Sequence, residues 1–183
     1  GQVYSKYLTS REVKINTMID AALFGDGKEV KIPKSSSKGF RKLVTTALLE
    51  WVVDLEVQNF PVHKATNKEI RKALKVVRAQ YAKSRAWKAL DVTPQEVRKF
   101  TVRKLNAKSL VKFKAKTSVI EVTEGDAREY FKKNRRKFGG GEYKKFAVNI
   151  KSYLRRRGTD QRLKVWFESL RVKHKLRNLL IEL

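Results

Sequence analysis

Apolar residues recur at three- and four-residue steps along most of the chain, which predicts a mainly helical protein. The clearest stripe is Phe40, Leu43, Val44, Ala47, Leu48, Trp51, Val52 and Leu55, widened by Leu49, Val53 and Val57. A helix apolar over so much of its surface is expected at the centre of the fold. An earlier helix is predicted from about Ser10 to Phe24, carrying Ile15, Met18, Ile19 and Ala22 on one side. Ile70, Leu74, Val77 and Tyr81 predict a third, and Val97, Phe100, Ala107 and Val111 a fourth whose stripe Lys104 interrupts. Trp87 and Leu90 mark a short helical turn between them, and Ala127, Tyr130, Phe131 and Phe138 stripe a further helix.

The final long helix is predicted to start near Glu142. Phe146, Ile150, Tyr153 and Leu154 share one face of it, and Leu163, Trp166, Phe167 and Leu170 another. The two faces are about half a turn out of phase at 3.6 residues per turn. The helix therefore either changes packing partner midway or kinks near Gly158, a weak helix former.

Local punctuation supports these boundaries. Thr9 with Glu12, Thr66 with Glu69, Thr93 with Glu96 and Thr123 with Asp126 each place a hydroxyl three residues before a carboxylate. That is the capping-box spacing, in which the two side chains satisfy free backbone N–H groups at a helix start. Pro94 falls at a first helical position, where its missing N–H costs nothing. Gly25 and Gly27 close the first helix, and Lys28 to Lys38 reads as a polar loop containing Pro33 and Ser35 to Ser37. Val3 to Leu8 and Leu176 to Leu183 are predicted strands that pair in a small sheet tying the chain ends together.

Charge changes the picture of what the protein meets. The 183 residues carry 44 Lys and Arg against 18 Asp and Glu, a net charge of +26. Such an excess favours polyanions, whether nucleic acid, anionic lipid headgroups or acidic protein segments, and says nothing about fold. The chain has no cysteine, which excludes thiol catalysis, thiolate metal sites and disulfides. Its two histidines, His63 and His174, have no clustered carboxylates beside them in sequence, so neither a metal site nor a histidine-based triad is expected. Gly139 to Gly141 follow a helix and precede Glu142, Tyr143 and Lys144, which is a helix stop and joint rather than a phosphate-binding loop. No catalytic residue, cofactor or metal is predicted.

The order of the motifs resembles one family. Thr123 to Asp126, then Ala127, Tyr130, Phe131, Asn134 and Phe138, resembles the helix that closes the N-terminal module of SurA-like periplasmic chaperones. Val3 to Val13 is similar to that family's opening strand and helix start. Leu48 to Asn59 with Val62 to Ile70, and Asp91 to Val111, look like its following helices. The resemblance implies one SurA-N-like domain over residues 1–183. In it, residues 1–138 form the N-terminal helical part, 139–141 a glycine joint, and 142–183 the long C-terminal helix and strand. In enzymatic members a parvulin-type prolyl isomerase domain follows the Tyr-aromatic helix. Here the chain passes from Gly139 to Gly141 directly into the last helix, so no isomerase activity is implied.

The implied function is a non-enzymatic holdase for unfolded or outer-membrane polypeptides, in the periplasm, with a signal peptide presumed removed. Aromatic residues outside the main stripes are the candidate client contacts: Tyr81, Trp87, Phe113 and Tyr143. The alternative for each is ordinary core packing, and Trp51 and Trp166 are assigned to the core. Lys132, Lys133, Arg135, Arg136, Arg155, Arg156 and Arg157 form a candidate basic rim, with acidic clients, anionic lipid or nucleic acid as its partners. Two other functions remain open: a helical nucleic-acid-binding protein, and an assembly subunit for one specific partner.

Overall fold

The structure, a computed structural model, describes residues 1–26 and 30–180. It is mainly helical, with a small antiparallel sheet. A hairpin of β1 (Gln2–Val3) and β2 (Lys6–Tyr7) leads into α1 (Ser10–Phe24), α2 (Lys38–Val57), α3 (Asn67–Tyr81), the short α4 (Arg85–Ala89), α5 (Pro94–Thr117), α6 (Glu124–Lys133) and the 31-residue α7 (Tyr143–Lys173). All four capping boxes form. The Thr9, Thr66, Thr93 and Thr123 hydroxyls accept from the backbone N–H of Glu12, Glu69, Glu96 and Asp126, whose carboxylates accept from the threonine N–H groups.

The chain divides into two compact units, residues 1–111 with 169–183, and residues 112–168. In the first, α1 packs on α2 and α3. Val13, Ile15, Ile19, Phe40, Leu48, Val52 and Phe100 are buried there. Lys104 belongs to this interior as well. Its ammonium lies 2.8 Å from both oxygens of Glu50 on α2 and 3.0 Å from Asp20 on α1. The interruption in the α5 stripe is thus a buried ion-paired position. Arg103 beside it is buried too, with its guanidinium 4.7 Å from the Trp51 ring and 5.3 Å from that of Phe100. Trp51 is only partly buried, serving as a lid over Arg103 rather than as core filling.

The predicted N-terminal strand is instead a two-stranded hairpin, because Tyr4 takes a left-handed backbone (φ 51°) and turns the chain. The C-terminal partner contributes one bridge. Gln2 and Arg177 exchange backbone hydrogen bonds of 2.8 and 2.9 Å. Pairing does not extend through Asn178, which donates to Arg41 O and Thr45 Oγ1 and accepts from the Leu180 N–H. Residues 181–183 of the predicted strand lie outside the described residues. The ends are joined by side chains as well. Buried His174 sits with Nε2 2.6 Å from Glu56 and Nδ1 2.9 Å from the Tyr4 hydroxyl, while Lys173 reaches Glu56 at 2.6 Å. Burial pushes the Glu56 carboxyl up, but the hydrogen bonds from Lys173 and His174 outweigh it and hold the group below its usual range.

In the second unit, α6 packs on the first half of α7 through Ala127, Phe131 and Ile150, with Tyr130, Phe138, Tyr143, Phe146 and Leu154 around them. Gly139 and Gly140 turn the chain between these helices at φ 54° and 78°, conformations that cost an L side chain energy. Helix α7 then changes partner without ending. At Gly158 a Cβ would collide with Ile120 Cδ1, and further on Trp166 packs at a tilt of 45° against Phe167 with Lys114 5.7 Å from its ring. The half-turn phase shift in the sequence is therefore an exchange of neighbours, and Gly158 stays helical. Trp166 is partly buried rather than enclosed.

Candidate functional site

A recess in the first unit lies between α1, the segment leading to α2, and α4. Met18 forms its floor, Ile32 and Pro33 one wall, and Ala86, Ala89 and Leu90 the other, with Lys14, Lys34 and Ser35 at the mouth. Its volume is about 540 Å³, within the range of about 300–1,000 Å³ usual for ligand pockets.

Each wall is held in place. On the α4 side, the Ser84 hydroxyl caps the helix by accepting from the Trp87 N–H at 3.2 Å. The chain then reverses at Asp91, where φ is 46°. Arg11 at the start of α1 clamps this corner by donating to the Leu90 carbonyl at 2.8 Å, the Asp91 carbonyl at 2.6 Å and both oxygens of Glu96. The Arg11 hydrogen bonds bring the Glu96 carboxyl down to about 2 despite its partial burial, with help from the Thr93 amide and hydroxyl. On the other side Pro33 rests against the α2 backbone. A Cβ on Gly39 would come within 3.1 Å of the proline ring, a tight contact that glycine avoids.

The floor is braced from behind. The Tyr81 hydroxyl donates a buried 2.6 Å hydrogen bond to the Met18 carbonyl, and the Tyr81 ring stacks on Trp87 at 4.8 Å and 10°. Burial pushes the Tyr81 phenol above its usual pKa. Lys14 and Lys34 have no ion-pair or hydrogen-bond partner for their ammonium groups among the described residues. The recess is thus a preformed apolar cleft with two uncommitted positive charges at its rim.

The four aromatic candidates separate. Tyr81 and Trp87 stand together behind the cleft, as support for Met18 and α4. Phe113 and Tyr143 belong to the second unit. Phe113 is exposed, whereas Tyr143 packs edge-on against Phe131 in the α6–α7 cluster, under the Arg128 guanidinium. The sequence places Met18, Pro33 and Leu90 on separate elements, with nothing local to show that they line one recess. Ile32 and Pro33 sit in a stretch dominated by lysine and serine, and α4 is too short for a periodic signal. Arg11 lies within the Thr9–Glu12 box and Glu96 closes the Thr93–Glu96 box at the start of α5, so in the sequence each reads only as part of a helix cap.

All seven residues of the basic rim are exposed and lie in the second unit. Lys133 pairs with Glu129 at 2.5 Å, and Arg135 lies 4.7 Å from the Phe131 ring. Arg156 and Arg157 line a shallow recess on α7 with Tyr153, Asp160, Gln161 and Lys164. Residues 112–168 carry 17 Lys and Arg against 7 Asp and Glu, a net of +10.

Among the described residues, no three His, Asp or Glu side chains converge as they would around a metal ion. No described helix is long and apolar enough to cross a membrane. No family model, curated protein or solved structure was found to match the chain.

Proposed function

We propose that this chain is a non-enzymatic periplasmic chaperone that holds unfolded or outer-membrane polypeptides. The observation that carries the reading is the braced, largely apolar cleft between α1, residues 32–35 and α4, open to solvent and rimmed by lysines that have no partner among the described residues. Unfolded outer-membrane proteins expose apolar side chains and unpaired strand edges that aggregate. A rigid apolar recess shelters such segments without chemistry, and preorganisation lowers the entropy cost of binding. The resemblance of Thr123 to Phe138 to the closing helix of SurA-like modules agrees with this reading. So does the direct passage through Gly139 to Gly141 into α7, which leaves no room for an isomerase domain at that joint.

The test is light scattering from a urea-denatured outer-membrane β-barrel protein diluted with and without the chain across a salt series. Suppression of aggregation that persists at near-physiological salt is the expected result. Suppression that vanishes once salt screens the charges overturns it.

A second reading, a polyanion-binding protein, is favoured by one observation. Lys132, Arg136, Arg155, Arg156 and Arg157 are exposed with no ion pair among the described residues. It predicts binding to nucleic acid or anionic vesicles that falls steeply with salt. A single saturable complex with one protein would instead mark an assembly subunit.

A further inference from the structure

We propose that the α1–α4 cleft selects its occupant, taking an extended polypeptide segment in which one apolar side chain is flanked by carboxylates. The inference rests on the reading of this chain as a polypeptide binder and adds what that site prefers.

Six of the lining side chains are apolar: Met18, Ile32, Pro33, Ala86, Ala89 and Leu90. Methionine adapts its shape to different aliphatic guests. Two alanines on the exposed side of α4 leave the wall low, so a side chain can enter from solvent between α4 and Pro33. A polar or charged side chain placed there would lose water with no partner in return.

The mouth has the opposite character. Lys14 comes from α1 and Lys34 from the segment before α2, so the two charges belong to different walls. Neither ammonium is neutralised by a carboxylate among the described residues, unlike Lys99, Lys104 and Lys173, which all are. An occupant whose apolar residue seats on Met18 would carry its neighbouring side chains past this rim. Carboxylates there gain charge-assisted hydrogen bonds, whereas lysines or arginines meet like charge. The rim therefore discriminates by repulsion as well as attraction.

The net charge of +26 attracts any acidic peptide, so the test must separate the rim from the general field. Two synthetic 11-residue peptides carry a central leucine flanked by either two glutamates or two lysines, each labelled with an uncharged dye. Their binding to the full chain is followed by fluorescence anisotropy at 150 mM salt. The glutamate peptide is expected to bind at least tenfold more tightly. The charge-reversed variant K14E/K34E should abolish or invert that preference. K144E/K145E changes the net charge equally, at exposed positions of the other unit, and should keep most of it. Ala89→Trp, which fills the cleft from an exposed position, should weaken the glutamate peptide at least tenfold.

Equal effects of the two double reversals, or unchanged binding by Ala89→Trp, would overturn the proposal. The aggregation assay separates this from the parent reading. Suppression by the wild type that Ala89→Trp retains in full removes the cleft assignment and leaves the holdase. Peptide selectivity without suppression removes the holdase and leaves the cleft.

Discussion

Lys104 Nζ lies 2.8 Å from each carboxylate oxygen of Glu50, inside the first unit, with its side chain only 1% exposed. A lysine so enclosed is tolerated because Glu50 and Asp20 both face it and Asn16 donates to the same Glu50 carboxylate. Lys104→Met is expected to destabilise the fold by about 3 kcal/mol, since it strands a carboxylate that is largely removed from water. Pairing it with Glu50→Leu should recover at least about 1 kcal/mol, because the stranded carboxylate is then removed as well. Urea unfolding of the two single variants and the double variant measures the coupling.

Acid weakens the Arg11 clamp in a defined window. Glu96 is ionised in the folded chain down to about pH 2, whereas in the unfolded chain it takes up its proton near 4.5. Its contribution is therefore complete above about pH 4.5 and is lost as pH falls from there to 2. The pair is partly open to solvent, Arg11 at 40% and Glu96 at 25% exposure, so screening keeps the contribution small. Thermal unfolding of wild type and Glu96→Gln from pH 6 to pH 2 should show a stability gap that closes across this window. Glu56 is also depressed, so its link to Lys173 and His174 is lost in the same direction.

Arg11→Ala should free the α4 corner without unfolding the unit. Residues 85–91 would lose the guanidinium that now binds the Leu90 and Asp91 carbonyls. Hydrogen–deuterium exchange in that segment is expected to rise at least tenfold, with little change in α2. Exchange that rises equally in both would show that the clamp holds more than α4.

Gly158 is predicted to be steric rather than flexible in purpose. Alanine there gains about 1 kcal/mol in helix propensity but must displace Ile120, an overpacking cost of about 1–3 kcal/mol. Gly158→Ala should therefore be neutral to moderately destabilising. In an Ile120→Ala background, where the obstruction is gone, the same change should stabilise by about 1 kcal/mol. Thermal unfolding of the four proteins decides between sterics and flexibility.

Much of the helical layout is written in local chemistry. Thr9, Thr66, Thr93 and Thr123 mark their helix starts because a capping box needs only residues three positions apart. Long-range partners leave no such trace. Lys104 breaks its stripe in the sequence, yet Glu50 and Asp20 stand 54 and 84 positions away, and nothing local pairs them. Tyr81 and Trp87 stack on each other. Their role as bracing for Met18 depends on a hydrogen bond spanning 63 positions. The cleft is illegible for the same reason: its lining comes from three segments far apart in the chain, and only α1 among them is periodic. In α7 the phase shift was readable, but the choice between a kink and a new neighbour required Ile120.

The bridge between Gln2 and Arg177 has a consequence for the order in which the molecule can be made. A growing or threading chain emerges N-terminus first. Residues 112–168 have all their internal partners before the last segment appears, so that unit can close early. The first unit cannot: Gln2, Tyr4, Glu56 and Arg41 wait for residues 173–178 to supply their hydrogen bonds. Joining positions 175 residues apart is also the slow kind of closure. Until it happens, the hairpin of β1 and β2 and the acidic end of α2 remain open, and a chain stalled a few residues short would leave its first unit unfinished.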